Sequence, residues 1–249
     1  MKLVVGLGNP GPEYETSRHN VGWVVVDHLA DVWRFPPWRA APDALATDGD
    51  VEGRRVRLLK PLTFMNLSGD ALAPYVDRPF WAAANDLLVV VDDVALPLGT
   101  FRFRAKGSAG GHNGLRSVER ALDTMEYARL RIGVGPPEPV PGELLRAFVL
   151  GAFTRDEACV VRSLFPAVPA GIATWITDGI VAAMNRFPGR PAPPPDSAPG
   201  STPRSAPGSA PESAPGSAPE SAPESAPHSP PDSPRPVPPS SRDSAEPSG

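Results

Sequence analysis

A single cysteine, Cys159, is all the thiol in this chain. One cysteine forms no intrachain disulfide, and no cysteine-based metal cluster can be built from it. It falls in DEACVVRSLF, a stretch that reads as a helix with Cys159 as a small buried apolar residue. Histidine is scarce too. His19, His28, His112 and His228 are the full set, and none has the HExxH spacing of a helical zinc site, so no metal is expected. The Walker spacing GxxxxGK[ST] is missing, and no acidic residue is clearly placed for a ribose, which disfavours a nucleotide-dependent enzyme. There is no GxSxG elbow, so Ser17, Ser68 and Ser108 lack the strained setting of an activated nucleophile. No apolar run reaches the length of a membrane helix. The N-terminus enters a strand directly and meets Gly6 and Asn9 early, which is not the pattern of a signal peptide. A soluble cytoplasmic protein is the expectation.

Strong net charge is also lacking: the chain carries -4 at pH 7. Only the distribution can then inform about partners. Between Arg102 and Arg131 there are seven basic residues against three acidic ones. That excess reads either as a solvated face or, beside a glycine-rich loop, as a polyanion-binding surface.

What the chain has in excess is proline, and nineteen of the 35 lie beyond Gly189. There serine recurs every fourth residue from Ser197 to Ser233, in units of the form SAPx. Proline at that frequency removes backbone donors, and too little apolar surface remains to fold around. Residues 189–249 are therefore expected to be a disordered tail. The remaining body, residues 1–188, is large enough for one domain with a real core.

Within the body, Leu3 to Val5 reads as a strand that opens into the polar loop ahead of His19 and Asn20. Val21 to Val32 follows as a mostly buried helix with Asn20 as its N-cap. His28 within it reads as a surface or packing residue. Phe35 to Asp50 is weakly patterned. Arg54 to Lys60 reads as a strand, and PLTFMNLSG as a turn into a helix from about Ser68 to Tyr75. Leu87 to Val91 is an uninterrupted apolar run, the mark of a buried parallel strand, with Asp92 and Asp93 emerging at its end. Thr100 to Arg104 alternates Phe101 and Phe103 with Arg102 and Arg104, giving one buried and one basic face. KGSAGGHNG feeds a helix from Leu115 to Leu122, and Tyr127 to Val134 is another strand. Helices are expected near Glu143–Val149, Arg155–Leu164 and, unbroken, Val168–Phe187. This alternation predicts a single α/β domain with a mixed, mostly parallel twisted sheet and helices on both faces. Its ligands should gather at the C-terminal edge of the strands.

Several residues in those loops could carry chemistry. His19 is either a surface histidine or a general base. Asp92 either ends a strand or fixes an imidazole tautomer and stabilises the charged ring. Asn9, Asn66 and Asn113 sit in turns or at a helix start, where Asn is common for structural reasons. The same neutral amides could orient a carbonyl and a hydroxyl at a scissile ester. Residue type alone leaves these pairs of readings open.

The ordered run of GLGNPGPEYETSRHNVG, LLKPLTFMNLSG, VVVDDVALPLG, KGSAGGHNGL, YARLRIGVG and DGIVAAMNRF resembles the bacterial peptidyl-tRNA hydrolase family, from residue 1 to about 187. The resemblance implies a monomeric enzyme, without cofactor, that cleaves the ester between a peptide and the 3′-terminal ribose of tRNA. His19 then matches the catalytic histidine and Asp92 the aspartate that polarises it. Asn9, Asn66 and Asn113 match cleft asparagines, while Tyr14 and Met65 match residues shaping its wall. Arg102, Arg104 and Lys106 lie where relatives contact tRNA, with Arg131 a further member of that set. Val91 and Ala95 depart from the His and Asp that relatives often carry there. A non-catalytic RNA-binding module on the same fold is the competing reading.

Overall fold

The computed structural model describes residues 1–189. The repeat tail, apart from Gly189, lies outside the described residues. In chain order the strands are β1 (Lys2–Gly6), β2 (Arg39–Ala41), β3 (Ala44–Val51), β4 (Arg54–Pro61), β5 (Leu87–Pro97), β6 (Phe101–Arg104) and β7 (Ala128–Gly135). They form one sheet in the order β2-β3-β4-β1-β5-β7-β6. The central strands β4, β1, β5 and β7 run parallel, β3 and β2 extend one edge antiparallel, and β6 closes the other antiparallel. The helices are α1 (Val21–Val32), α2 (Ala73–Val76), α3 (Ala83–Asp86), α4 (Asn113–Leu122), α5 (Leu145–Leu150), α6 (Arg155–Arg162), α7 (Ala167–Asp178) and α8 (Ile180–Arg186). Among the described residues no single helix is long and apolar enough to cross a membrane.

Strand alternation divides the core in two. Leu88 and Val90 of β5 join Leu130 and Ile132 of β7 in packing against α1 and α7, through Val25, Leu29, Ile172 and Trp175. Leu87, Val89 and Val91 face the opposite way, towards Leu72, Leu115 and Val118. Each such side chain, fully buried, stabilises the fold by about 1.5–3 kcal/mol relative to exposure. Helix α1 comes unusually close to the sheet. A Cβ on Gly22 would fall 2.5 Å from the backbone N and O of Leu7, so only glycine permits the helix to start directly over the end of β1.

Six expectations need correction. β3 lies in the stretch read as weakly patterned: it is a full-length partner of β4, but Asp48, Gly49 and Asp50 interrupt its alternation. β5 does not stop at Val91. Asp92 and Asp93 are still in register with Ile132 and Gly133 of β7. The segment leading to Tyr75 is a 3-10 helix over Met65–Leu72 followed by the short α2. The expected helix 168–187 is broken at Gly179, whose φ of 86° suits glycine and separates α7 from α8. Asn20 makes no side-chain cap to α1, and its amide is used elsewhere. Cys159 is exposed rather than buried, because α6 turns Val161 and not Cys159 to the core.

Candidate active site

The parallel strands end on one side of the sheet, and their loops enclose a cleft of about 750 Å³. Six segments line it: the loop after β1, the Val91–Val94 part of β5, the start of the Met65–Leu72 helix, the glycine-dense loop ahead of α4, Arg131 of β7, and α5. GLGNPG has the glycine spacing of a dinucleotide-binding turn. The chain after it forms a 3-10 turn over Pro12–Tyr14, however, so no α-helix N-terminus is aimed at a pyrophosphate. A second 3-10 turn, Arg18–Asn20, delivers His19 immediately before α1.

His19 is 9% exposed and lies against Asp92, which is 4% exposed. Its Nδ1 is 2.8 Å from Asp92 Oδ1. His112 Nε2 meets the same oxygen at 3.0 Å, and the two rings stand 4.8 Å apart. The tautomer of His112 follows from its other nitrogen, which accepts the N–H groups of Gly114 and Leu115 at 3.1 and 3.3 Å and thereby caps α4. With Nδ1 an acceptor, the proton sits on Nε2 and is donated to Asp92. His19 likewise donates from Nδ1, which leaves its Nε2 as the basic nitrogen in the cleft. Burial alone would push the Asp92 pKa up. The electrostatic attraction and hydrogen bonds of His112 and His19, which both aim ring N–H groups at the carboxylate, more than offset it and hold the carboxyl well below the usual carboxylate range.

These three side chains also form the one cluster with metal-ligand spacing among the described residues. Their hydrogen bonds argue against that use. A metal on His112 Nε2, with Nδ1 still accepting two backbone N–H groups, would need an imidazolate with no proton on either nitrogen. The donor set fits a proton-bearing hydrogen-bond network better than a cation.

The asparagines divide by what their arms already do. Asn20 uses both, accepting the Asn9 backbone N–H at 2.8 Å and donating to the Asn9 carbonyl at 2.9 Å. Asn9 spends its side-chain oxygen on the Met65 N–H at 2.8 Å, which leaves its NH₂ as a donor. Asn113 accepts from Arg116 at 3.2 Å and is exposed, as is Asn66. Tyr14 is half-buried in the cleft wall, and Met65 is buried with Sδ packed over the bare Cα of Gly114. The structure thus brings His19, Asp92, Asn9, Tyr14, Met65, Asn66 and Asn113 into one cleft.

The basic residues lie apart in part. Arg102 and Arg104 of β6 stand opposite Arg131 and Arg129 of β7, four guanidinium side chains on one face. Arg129 pairs with Glu119, and Arg131 reaches into the cleft, where its Nε lies 2.8 Å from Asp93 Oδ2. Arg102 and Arg104 have no acidic partner among the described residues and do not line the cleft, while Lys106 is exposed and paired with Glu126. Val91 belongs to the core facing α4, and Ala95 is exposed with its N–H on Asp93 Oδ1 at 2.9 Å. Sequence reasoning passed over His112. Its position just before the α4 pattern, a place where an acceptor side chain caps a helix, was the available signal. His28 stacks on Phe165 at 4.2 Å, as a packing residue.

An α/β domain that sets an imidazole–carboxylate pair beside amide donors at the C-terminal edge of a parallel core defines a hydrolase-type cleft. The sequence pattern of the peptidyl-tRNA hydrolase family matches residues 3–194. The peptidyl-tRNA hydrolase of Gemmatimonas aurantiaca is 49% identical over 187 residues, 74% of this chain and 98% of that protein. That of Bacillus subtilis is 42% identical over 188 residues, covering 75% and 98%. A crystal structure of peptidyl-tRNA hydrolase from Acinetobacter baumannii superposes with a TM-score of 0.68 at 33% identity, over 75% of this chain and 94% of that one. The chain belongs to the peptidyl-tRNA hydrolase family.

Proposed function

We propose that this protein hydrolyses the ester joining a peptide to the 3′-terminal ribose of a tRNA, with His19 as general base. The observation that carries the reading is the His19 Nδ1 to Asp92 contact of 2.8 Å, which leaves Nε2 free in the cleft that Asn9 also lines. His19 Nε2 takes a proton from water, and the oxygen attacks the peptidyl carbonyl carbon. Asp92 keeps the ring in the reactive tautomer and offsets the charge it gains. The tetrahedral intermediate expels the ribose oxygen, which recovers the proton from His19. Peptide leaves as the acid, which gives its remaining proton to solvent, and tRNA leaves with its terminal hydroxyl restored.

Asn9 is the donor to the carbonyl oxygen, since its own oxygen is committed to Met65. Asn113 and Asn66 orient water and the peptide end, with Tyr14 and Met65 as walls. Arg102, Arg104 and Lys106 hold tRNA phosphates without reading bases, as a substrate class of all elongator tRNAs requires. Arg131, held in the cleft by Asp93, contacts the acceptor end. An ester is a competent acyl donor, so the route uses no metal or cofactor. The activity resides in residues 1–188, acting as a cytoplasmic monomer.

The test is peptide release from N-blocked peptidyl-tRNA by wild type and His19→Ala. A fall in kcat of about 10²–10⁴-fold is expected. Unchanged release in the variant would remove His19 as the base, whereas no release by the wild type would favour the non-catalytic RNA-binding reading.

A further inference from the structure

Helix α5 forms a wall of the cleft through Leu145, Arg146, Val149 and Leu150, yet none of its residues is fully buried. Apolar burial therefore does little to fix that wall. The polar contacts to it come largely from one side chain on the other side of the chain's connectivity, Arg18. Its Nη1 donates to the carbonyls of Phe148, Gly151 and Ala152 at 3.3, 3.2 and 3.0 Å. Its Nη2 donates to both carboxylate oxygens of Glu157 at 2.9 and 2.7 Å. The guanidinium also lies 4.4 Å from the Phe148 ring and 5.5 Å from that of Phe153.

Backbone bonds continue the seam. The N–H of Arg18 donates to Gly151 O at 3.1 Å, and the N–H of Phe153 to Thr16 O at 3.0 Å. Phe148 and Gly151 lie at the C-terminal end of α5, where carbonyls lack partners and a cation is favoured. Glu157 in turn belongs to the capping box that starts α6 with Thr154. A residue 8% exposed thus ties the end of α5, the crossing segment 151–153 and the start of α6 to a single point. The next residue along the chain from that point is His19.

We propose that Arg18 is the positioning residue that registers the α5 wall against the His19 imidazole, so that an acyl group held by the wall meets the base in line. This rests on the reading of His19 as general base. Lysine does not replace it, because three donors on a point charge do not span three carbonyls and a bidentate carboxylate. Placement errors of about 1 Å in such an arrangement cost up to about 10²-fold in rate. Phosphate capture by Arg102 and Arg104 lies on another face and is left alone, so the loss falls on kcat and not on KM.

The experiment compares full-length Arg18→Lys, Arg18→Met and Glu157→Gln with wild type. Steady-state kinetics on peptidyl-tRNA are read together with amide exchange resolved by segment. Expected for both Arg18 variants are faster exchange over 145–153 with β5 and β7 still protected, a kcat lower by about 10–100-fold, and KM within about threefold. Glu157→Gln, which keeps one acceptor oxygen but replaces the other with a donor and removes the charge, should show the same pattern more weakly, and it serves if Arg18→Met does not fold. Unchanged exchange over 145–153 would mean Arg18 is not the tether. Faster exchange there with kcat retained would mean the wall is not registered to the base. Either result overturns the proposal. Failure of the base reading is recognised separately, by full activity in His19→Ala.

Discussion

The Asp92 carboxylate takes donors from two imidazoles on the same oxygen while almost wholly removed from water. Burial raises its pKa and the two histidines lower it, with the lowering effects larger. A carboxyl whose folded pKa lies below its unfolded value contributes stability that is present above the unfolded pKa. That contribution is lost as pH falls through the unfolded value towards the folded one. Wild-type stability should therefore decline between about pH 5 and pH 2 more steeply than that of Asp92→Asn, as read from urea midpoints at several pH values. At neutral pH the same variant should lose about 10²–10⁴ in kcat, since an amide neither fixes the His19 tautomer nor offsets its charge.

At the level of elements, the β6–β7 ribbon sets Arg102 opposite Arg131 and Arg104 opposite Arg129. Like charges directly across a ladder repel. Glu119 and Asp93 relieve the β7 pair but no acidic residue among those described relieves the β6 pair. Arg102→Ala with Arg104→Ala should accordingly leave thermal stability intact or slightly raised. The same change should raise KM for peptidyl-tRNA and lower the slope of log K against log salt by about one for each phosphate no longer neutralised. A minimal aminoacyl-ester substrate should be turned over as before. This ribbon was legible in the sequence because Phe101 and Phe103 alternate cleanly with the arginines. β1 and β5 were legible as unbroken apolar runs, and β7 as a strand whose apolar residues alternate with Arg129 and Arg131. β3 was not, since acidic residues and Gly49 interrupt its period and its partner across the sheet supplies the missing constraint. The break at Gly179 was hidden as well, because the hydrophobic pattern continues through it into α8. His19 and Asp92 stood out by residue type. His112 did not, because its contact with Asp92 depends on β5 running past Val91, which the residues do not show, and its place ahead of the α4 pattern points only to a cap.

For the molecule as a whole, the relative from Gemmatimonas aurantiaca is informative through coverage. The shared 187 residues make up 98% of that protein but 74% of this one. The family match over residues 3–194 takes in both core clusters and every cleft residue named above. A chain ending after Pro188 should consequently fold with the same melting temperature and hydrolyse peptidyl-tRNA at the full-length rate, measured side by side. A large loss of activity on truncation would assign the SAPx repeat a part in the reaction that nothing in its composition provides.

The contact of Gly22 with Leu7 and the two-armed grip of Asn20 on Asn9 pinch the chain together at both feet of the segment that bears His19. Topologically that segment is a purse with a drawn string. Its bulge can be rewritten at the exposed Pro12, Glu13 and Glu15, with Tyr14 kept in the cleft wall, without the mouth opening. The reactive ring hangs from the string and not from the bulge, so the reach of its nitrogen is set by a knot that side chains at the tip never touch.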